Sequence, residues 1–272
     1  MMPALELNAI VSQRIEVAPG LMVLRVVPDG WDLAKFRAGQ FAVLGLPGSA
    51  PRYEFTDKEE NTPDPEKLIR RAYSIASAPE SLDYLEFFIT LVSSGALTPR
   101  LFALKPGTRL WLGKKVSGLF TLDQVPHDKN LILVGTGTGL APYMSMVRGE
   151  LLCDRNRRFA VLLGARHSWD LGYRSELNTL TRACENFSYL PIISRPEEEV
   201  TPWQGREGYV QELWKKGTLA AEWGVKPDPE NSHVLLCGNP AMIEDMMELL
   251  ASEGFVEHSK KRPGQIHVEK YW

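Results

Sequence analysis

Cysteine is scarce: Cys153, Cys184 and Cys237 are the only three in 272 residues. No C-x-x-C pair occurs and any pairing leaves one thiol over, so the sequence predicts no disulfide framework and suits a reducing compartment. An uninterrupted apolar run near the roughly 18 residues of a membrane span is missing. Residues 1–11 hold no apolar block of signal-peptide type, so the expected location is the cytoplasm, without membrane contact. The five histidines, His127, His167, His233, His258 and His267, show neither H-E-x-x-H nor Cys/His spacing, which predicts no metal site. There is no G-x-S-x-G elbow, and hence no serine-hydrolase signature. A net charge of −3 excludes a globally basic nucleic-acid binder. What is present is an ordinary globular composition, 44% hydrophobic and 24% charged. At roughly 100–200 residues per domain, the length favours two domains.

The first half reads as strands. Residues 21–27 (L-M-V-L-R-V-V), 40–46 (Q-F-A-V-L-G-L), 73–77, 85–92 (L-E-F-F-I-T-L-V) and 108–112 are short β-leaning runs broken by Gly and Pro, the pattern of an antiparallel barrel or sandwich. One helix is predicted over 98–104, with Thr98 as N-cap and Pro99 at the first helical position. Residues 51–67, dense in Asp, Glu, Pro and Lys without an apolar period, read as a solvated excursion between strands. After about Val125 the pattern changes. Apolar strands at 131–134, 159–163, 189–194 and 234–237 alternate with helical stretches at 175–185, 209–216 and 240–253, the mark of a parallel sheet covered on both faces. The expected division is an antiparallel β-barrel over 1–124 followed by a doubly wound, Rossmann-like α/β domain over 125–272.

Two constellations carry chemistry. The first, Gly135-Thr136-Gly137-Thr138-Gly139-Leu140-Ala141-Pro142, follows the strand L-I-L-V and precedes a helix, the context in which a Gly-rich turn cradles a pyrophosphate. It lacks the third glycine of the G-x-G-x-x-G pattern and has no Walker lysine, which disfavours nucleoside-triphosphate hydrolysis. The second, Arg71-Ala72-Tyr73-Ser74-Ile75-Ala76-Ser77, sets an arginine, an aromatic and a hydroxyl on one extended segment, with Arg71 and Tyr73 on the same side.

R-A-Y-S, then G-A-L-T over 95–98, then G-T-G-T-G-L-A-P, then C-G-N-P-A-M over 237–242, and finally the aromatic end E-K-Y-W occur in this order. In this the chain resembles the ferredoxin–NADP reductase family, most of all its bacterial branch, over almost its whole length; residues 51–70 are longer than that pattern. The resemblance implies an oxidoreductase in which an FAD barrel precedes an NADP domain, with flavin and nicotinamide meeting in the cleft. Arg71 would lie on the FAD pyrophosphate, Ala72 beside it, Tyr73 on the isoalloxazine ring and Ser74 within hydrogen-bonding reach. Leu91 and Val92 would lend backbone groups to the flavin edge while their side chains sit in barrel core. Gly95 and Leu97 complete that stretch. Thr98 would stand beside the reactive flavin nitrogen, act as helix cap, or both. Thr136, bordering the flavin, and Gly135, Gly137, Thr138 and Gly139 would hold the NADP pyrophosphate. Cys237 and Gly238 would lie against the nicotinamide. Glu269 matches the terminal glutamate, Tyr271 the flavin-stacking aromatic, and the added Trp272 would cover the FAD adenine, the tail returning to the flavin. The catalytic set is thus Thr98, Cys237, Glu269 and Tyr271.

Loop-end arginines Arg166, Arg195 and Arg206, with Ser194, favour NADP over NAD, although residues 197–199 (E-E-E) lie close by. The implied partner is ferredoxin or flavodoxin, docked transiently through basic runs such as Lys114-Lys115 and Lys260-Lys261-Arg262, with the reductase a monomer. Two alternatives stay open: a reductase component serving an oxygenase, and a non-catalytic redox-sensing flavoprotein subunit.

Overall fold

The computed structural model describes residues 6–61, 63–153 and 156–270. Contacts divide it into two units: the chain up to Thr121 together with Met144–Gly149, and Leu122–Tyr143 together with Glu150 onward.

The first unit is a six-stranded antiparallel sheet. Its strands are β1 (Ala9–Ala18), β2 (Leu21–Pro28), β3 (Phe41–Pro47), β4 (Leu68–Ser74), β5 (Leu85–Thr90) and β6 (Arg109–Leu112), in the order β4-β3-β6-β1-β2-β5. The edge strands approach through an antiparallel bridge between Ile75, just past β4, and Phe87 on β5, so the sheet curls like a barrel without closing. β2 buries residues on both faces, which explains its continuous apolar run. β1 escapes the sequence reading for a physical reason. Bulges between Val11 and Gln13 and between Glu16 and Ala18 shift the inward face, so its alternation never holds for long. Helix α1 (Thr98–Phe102) is shorter than predicted, and Leu97 is its N-cap, with no side-chain cap bond.

The second unit is an all-parallel sheet of β7 (Asn130–Thr136), β8 (Phe159–Ala165), β9 (Phe187–Ile193), β10 (Arg206–Glu207), β11 (Ser232–Cys237) and β12 (Ile266–Glu269), ordered β10-β9-β8-β7-β11-β12. Helix α2 (Leu140–Glu150) starts in this unit, its Met144–Gly149 stretch counting with the first, and α3 (Arg174–Ala183), α4 (Val210–Lys215), α5 (Thr218–Trp223) and α6 (Pro240–Ser252) accompany the sheet. α5 spans six residues, begins after a two-residue gap from the end of α4 at Lys215, and lies outside the predicted helical stretches. β12 reads as polar because of His267, yet that side chain is buried with its Nε2 3.0 Å from Nδ1 of His233 on β11. Burial, reinforced by neighbouring His258, pushes His233 down to about 4 and His267 to about 3. Both rings are therefore neutral at pH 7, one donating and the other accepting.

One expectation from composition fails. Cys153 and Cys184 are joined in a disulfide across 31 residues of chain, and Cys237 remains a buried thiol outside it. Position decides this: Cys153 lies just beyond α2 and Cys184 caps α3, and folding brings their Cα atoms to 4.7 Å. The inference of a reducing compartment from unpaired cysteines loses its footing with it. No helix among the described residues is long and apolar enough to cross a membrane.

Candidate functional site

In the second unit the carboxyl ends of β7, β11 and β12 lie side by side, with Cys237 in register with Gly135 on one side and Glu269 on the other. Gly135 and Thr136 prove to be strand residues; the tight turn is confined to Gly137–Gly139, after which α2 begins. A side chain at Gly135 would press on the Tyr143 ring 3.0 Å away, so this glycine serves packing. The Tyr143 hydroxyl donates to one of two backbone carbonyls it touches, those of Val134 and Leu235 at 2.9 and 2.8 Å, tying α2 to the sheet. Its burial raises the phenol pKa well above the ordinary value, so the proton stays on.

The turns after β7 and β11 abut backbone to backbone. Gly238 has φ +133°, a left-handed conformation, and a Cβ there would overlap the hydroxyl and backbone of Thr136. A Cβ at Gly139 would overlap the Cys237 carbonyl. Thr136 Oγ1 accepts from the Asn239 backbone N–H at 2.8 Å, and the Asn239 side chain in turn caps α6 by accepting from the N–H of Ala241 at 2.9 Å. Cys237 Sγ–H donates weakly toward Glu269 Oε2 at 3.8 Å. Gly135, Thr136, Gly137, Gly139, Cys237, Gly238 and Glu269 are thus drawn to one sheet edge, with Thr138 in the turn.

The arginines gather at the ends of the neighbouring strands. Arg166 follows β8, and backbone bonds from Ser194 N–H to Ala165 (3.0 Å) and from Arg195 N–H to Arg166 (2.9 Å) align the loop after β9 beside it. Arg206 sits on β10 opposite Ile192. All three side chains are exposed, but Arg195 is paired with Glu198 at 3.2 Å. Two of the three glutamates that complicated the sequence reading are spoken for. Glu198 also meets His167 Nε2 at 2.7 Å, while Glu199 accepts from the backbone and hydroxyl of Ser168 at 2.6 and 2.7 Å. The Glu198 hydrogen bond, aided by Asp170, raises the His167 pKa; the His167 bond in turn lowers that of Glu198. Burial works against Glu199, but the Ser168 bonds together with the charges of His167 and Arg174 outweigh it and lower its pKa.

A cavity of about 420 Å³ opens here, lined among others by Ser168, Arg174, Glu199, Trp203 and Arg206. Sequence reasoning passed over Arg174 and Trp203, whose guanidinium and ring stack at 4.8 Å. A tryptophan in a polar loop was the one signal that pointed to them.

In the first unit β3 holds β4 in register, with Tyr73 opposite Ala42 and Ser74 opposite Phe41. Arg71 and Ala72 are exposed on this edge strand, Tyr73 is half-buried and Ser74 buried. Phe87 holds the Tyr73 ring edge-on at 6.4 Å, and burial raises its phenol pKa. Residues 92–98 form a tight loop: Val92 O accepts from Gly95 N–H at 2.8 Å, and Thr98 Oγ1 lies 3.0 Å from Val92 N and 3.1 Å from Val92 O. The Thr98 hydroxyl therefore closes this loop and does not cap α1, which corrects the capping expectation. Leu91 packs on the core as expected, whereas Val92 is 52% exposed because β5 ends at Thr90 and the chain turns outward. Leu97 is buried in the core. Tyr271 and Trp272 lie outside the described residues.

The family described as oxidoreductase NAD-binding domain matches residues 133–248. The flavodoxin/ferredoxin–NADP reductase of Escherichia coli is 33% identical over 238 residues, 87% of this chain and 88% of that one. The ferredoxin–NADP reductase of Pseudomonas aeruginosa is 30% identical over 246 residues, 87% of this chain and 86% of its own. Among solved structures, a ferredoxin NADP+ reductase from Neisseria gonorrhoeae with bound FAD and NADP superposes with a TM-score of 0.80 at 24% identity, covering 97% of this chain and 98% of that one.

Proposed function

The chain belongs to the flavodoxin/ferredoxin–NADP reductase family, and on that premise we propose that it is an FAD enzyme exchanging a hydride with NADP(H) and single electrons with ferredoxin or flavodoxin. The observation that carries this reading is the abutment of Thr136 and Gly139 against Cys237, Gly238 and Asn239, beside exposed arginines at the strand ends. Ligands of such sheets bind at this edge. The residues fit a dinucleotide: any side chain at 139 or 238 would fill the space where backbone meets backbone. They fit a flavin in the first unit as well, where the edge strand β4 exposes Arg71 and leaves Tyr73 half-buried.

Flavin, when bound, supplies the conversion between two-electron and one-electron chemistry. The chain supplies binding and orientation. Arg71 would meet the FAD pyrophosphate, Tyr73, braced by Phe87, would flank the ring, and buried Ser74 would hydrogen-bond beside it. Ala72, Leu91, Val92, Gly95 and Leu97 would offer backbone groups, and Thr98 Oγ1, fixed by Val92, would stand at the reactive end. In the second unit Gly137, Thr138 and Gly139 would carry the NADP pyrophosphate. Arg166, Arg206, Ser194 and Arg195 would take the phosphate on the ribose, with Arg174 and Trp203 walling the adjoining cavity. Glu269 holds the Cys237 thiol proton toward its Oε2 and so fixes the sulfur that would face the nicotinamide.

A visible spectrum of the purified protein followed by NADPH titration without air tests the whole reading. Flavin bands bleached by NADPH, with NADH far less effective, are expected; a colourless protein that refuses FAD overturns it. The exposed Lys114, Lys115, Lys260, Lys261 and Arg262 would steer an acidic carrier, so ferredoxin reduction should slow as salt rises.

A further inference from the structure

Residues 51–67 form the excursion between β3 and β4 that their composition implies, most of them exposed, but Arg52 and Glu59 fasten it to the rest of the unit. Arg100 on α1 is only 2% exposed, and its two terminal nitrogens reach both oxygens of Glu59, at 2.6 and 2.9 Å. The same guanidinium donates to the carbonyls of Ala96 and Gly48, each at 2.7 Å. Arg52 shares the Glu59 Oε1 atom at 3.0 Å and donates to the carbonyls of Gly95 at 2.9 Å and Ser93 at 3.2 Å. Two further bonds fasten the segment: Asp57 N–H to Ser93 Oγ at 3.0 Å and Tyr53 N–H to Pro99 O at 2.9 Å. The Arg100 hydrogen bond, outweighing burial, holds the Glu59 carboxyl below its ordinary pKa.

The geometry has a single centre. The carbonyls of Ser93, Gly95 and Ala96, three neighbours on the loop before α1, are all held by guanidiniums that converge on one carboxylate. The Thr98 hydroxyl closes the same loop from its other end. Without the carboxylate, two cations would be left against each other, one of them buried and uncompensated. They would separate and release the carbonyls they hold.

We propose that Glu59 is a positioning residue for the flavin site: acting through Arg52 and Arg100, it sets the backbone of residues 92–98 and with it Thr98. This rests on the flavin reading given above. The role differs from simple fastening, because a fastened loop that did nothing for the flavin would leave flavin affinity and spectrum untouched when loosened.

The test uses the full chain, first stripped of and then titrated with FAD, as wild type, Glu59→Gln, Glu59→Asp and Glu60→Gln, the last an exposed neighbour outside the cluster. Glu59→Gln should weaken FAD binding tenfold or more and shift the visible flavin bands. Glu59→Asp should recover part of the loss, and Glu60→Gln should match wild type. A Glu59→Gln protein that melts earlier but binds FAD with wild-type affinity and spectrum overturns the proposal. If that variant does not fold, Arg52→Gln serves instead, since Arg52 lies nearer the surface. A threefold or larger loss of FAD affinity supports the proposal, and wild-type affinity overturns it. Failure of the wild type itself to bind FAD would strike the flavin reading first, before any variant is made.

Discussion

Two glutamate-rich loops, residues 51–67 in the first unit and 196–205 in the second, look alike in sequence and are built in opposite ways. In the first, Glu59 lies between Arg52 and a nearly inaccessible Arg100, and the loop is bonded to the backbone it covers. In the second, Glu198 pairs with the exposed Arg195 and with His167, while Glu199 accepts from Ser168 beside an open cavity. The lesson is that a carboxylate's worth is set by the burial of its partner. An exposed pair contributes about 0–1 kcal/mol, whereas breaking a buried pair costs about 3–5 kcal/mol because a charge is left uncompensated. The first loop is therefore anchored on a buried cation, whereas Arg195 in the second stays exposed.

The largest test removes the buried cation. Arg100→Ala should cost about 3–5 kcal/mol in urea unfolding, while Arg195→Ala should stay within about 0.5 kcal/mol; equal losses would erase the distinction between the loops. Next, Arg206→Ala should leave stability unchanged but raise the KM for NADPH roughly tenfold, with NADH kinetics unmoved, as expected for loss of one charge-assisted phosphate contact. An equal effect on both nucleotides would remove the phosphate role.

Acidity separates the loops in a third way. His167 has a raised pKa, so its ion pair with Glu198 is fully present below the ordinary value of 6.5 and is lost as pH climbs through the raised one. Asp170 and Glu198 are the charged groups that face it. Glu59 is the reverse case: its clamp is present above 4.5 and fails only as pH falls through a depressed value. Raising pH from 6 to 9 should thus speed proteolytic cutting within 196–205 relative to 51–67 in the same digest; an unchanged ratio would count against the pairing. The smallest effect is expected from Glu198→Gln, which frees Arg195 and should lower the KM for NADPH by about two- to threefold, as a surface pair of this kind is worth little. A raised KM would show that Glu198 orients the arginine instead of competing for it.

Much of the fold was legible. Strands buried on both faces, such as β2, β7, β8 and β11, announce themselves as apolar runs, and α6 shows its start through Asn239 and Pro240. Elements were missed where burial and residue type part company, in the bulged β1 and the histidine-bearing β12, and α5 was missed as well. The candidate site divides similarly. The glycines and the R-A-Y-S strand stand out because backbone geometry and local order demand particular residues. Arg174 and Trp203 left only the trace of a tryptophan in a polar loop, and the Glu59–Arg100 pair left none, since each depends on partners tens of residues away.

The sequence by itself determined the succession of an antiparallel and a parallel sheet, and the family to which the ordered motifs belong, because hydrophobic periodicity and turn chemistry are local. Only the tertiary structure decided which charges are buried, that Cys153 meets Cys184, that Thr98 closes a loop where a cap was expected, and that one acidic loop is clamped while the other stands open. Those outcomes are fixed by long-range proximity and by the loss of water around particular atoms, and neither is written in the order of neighbouring residues.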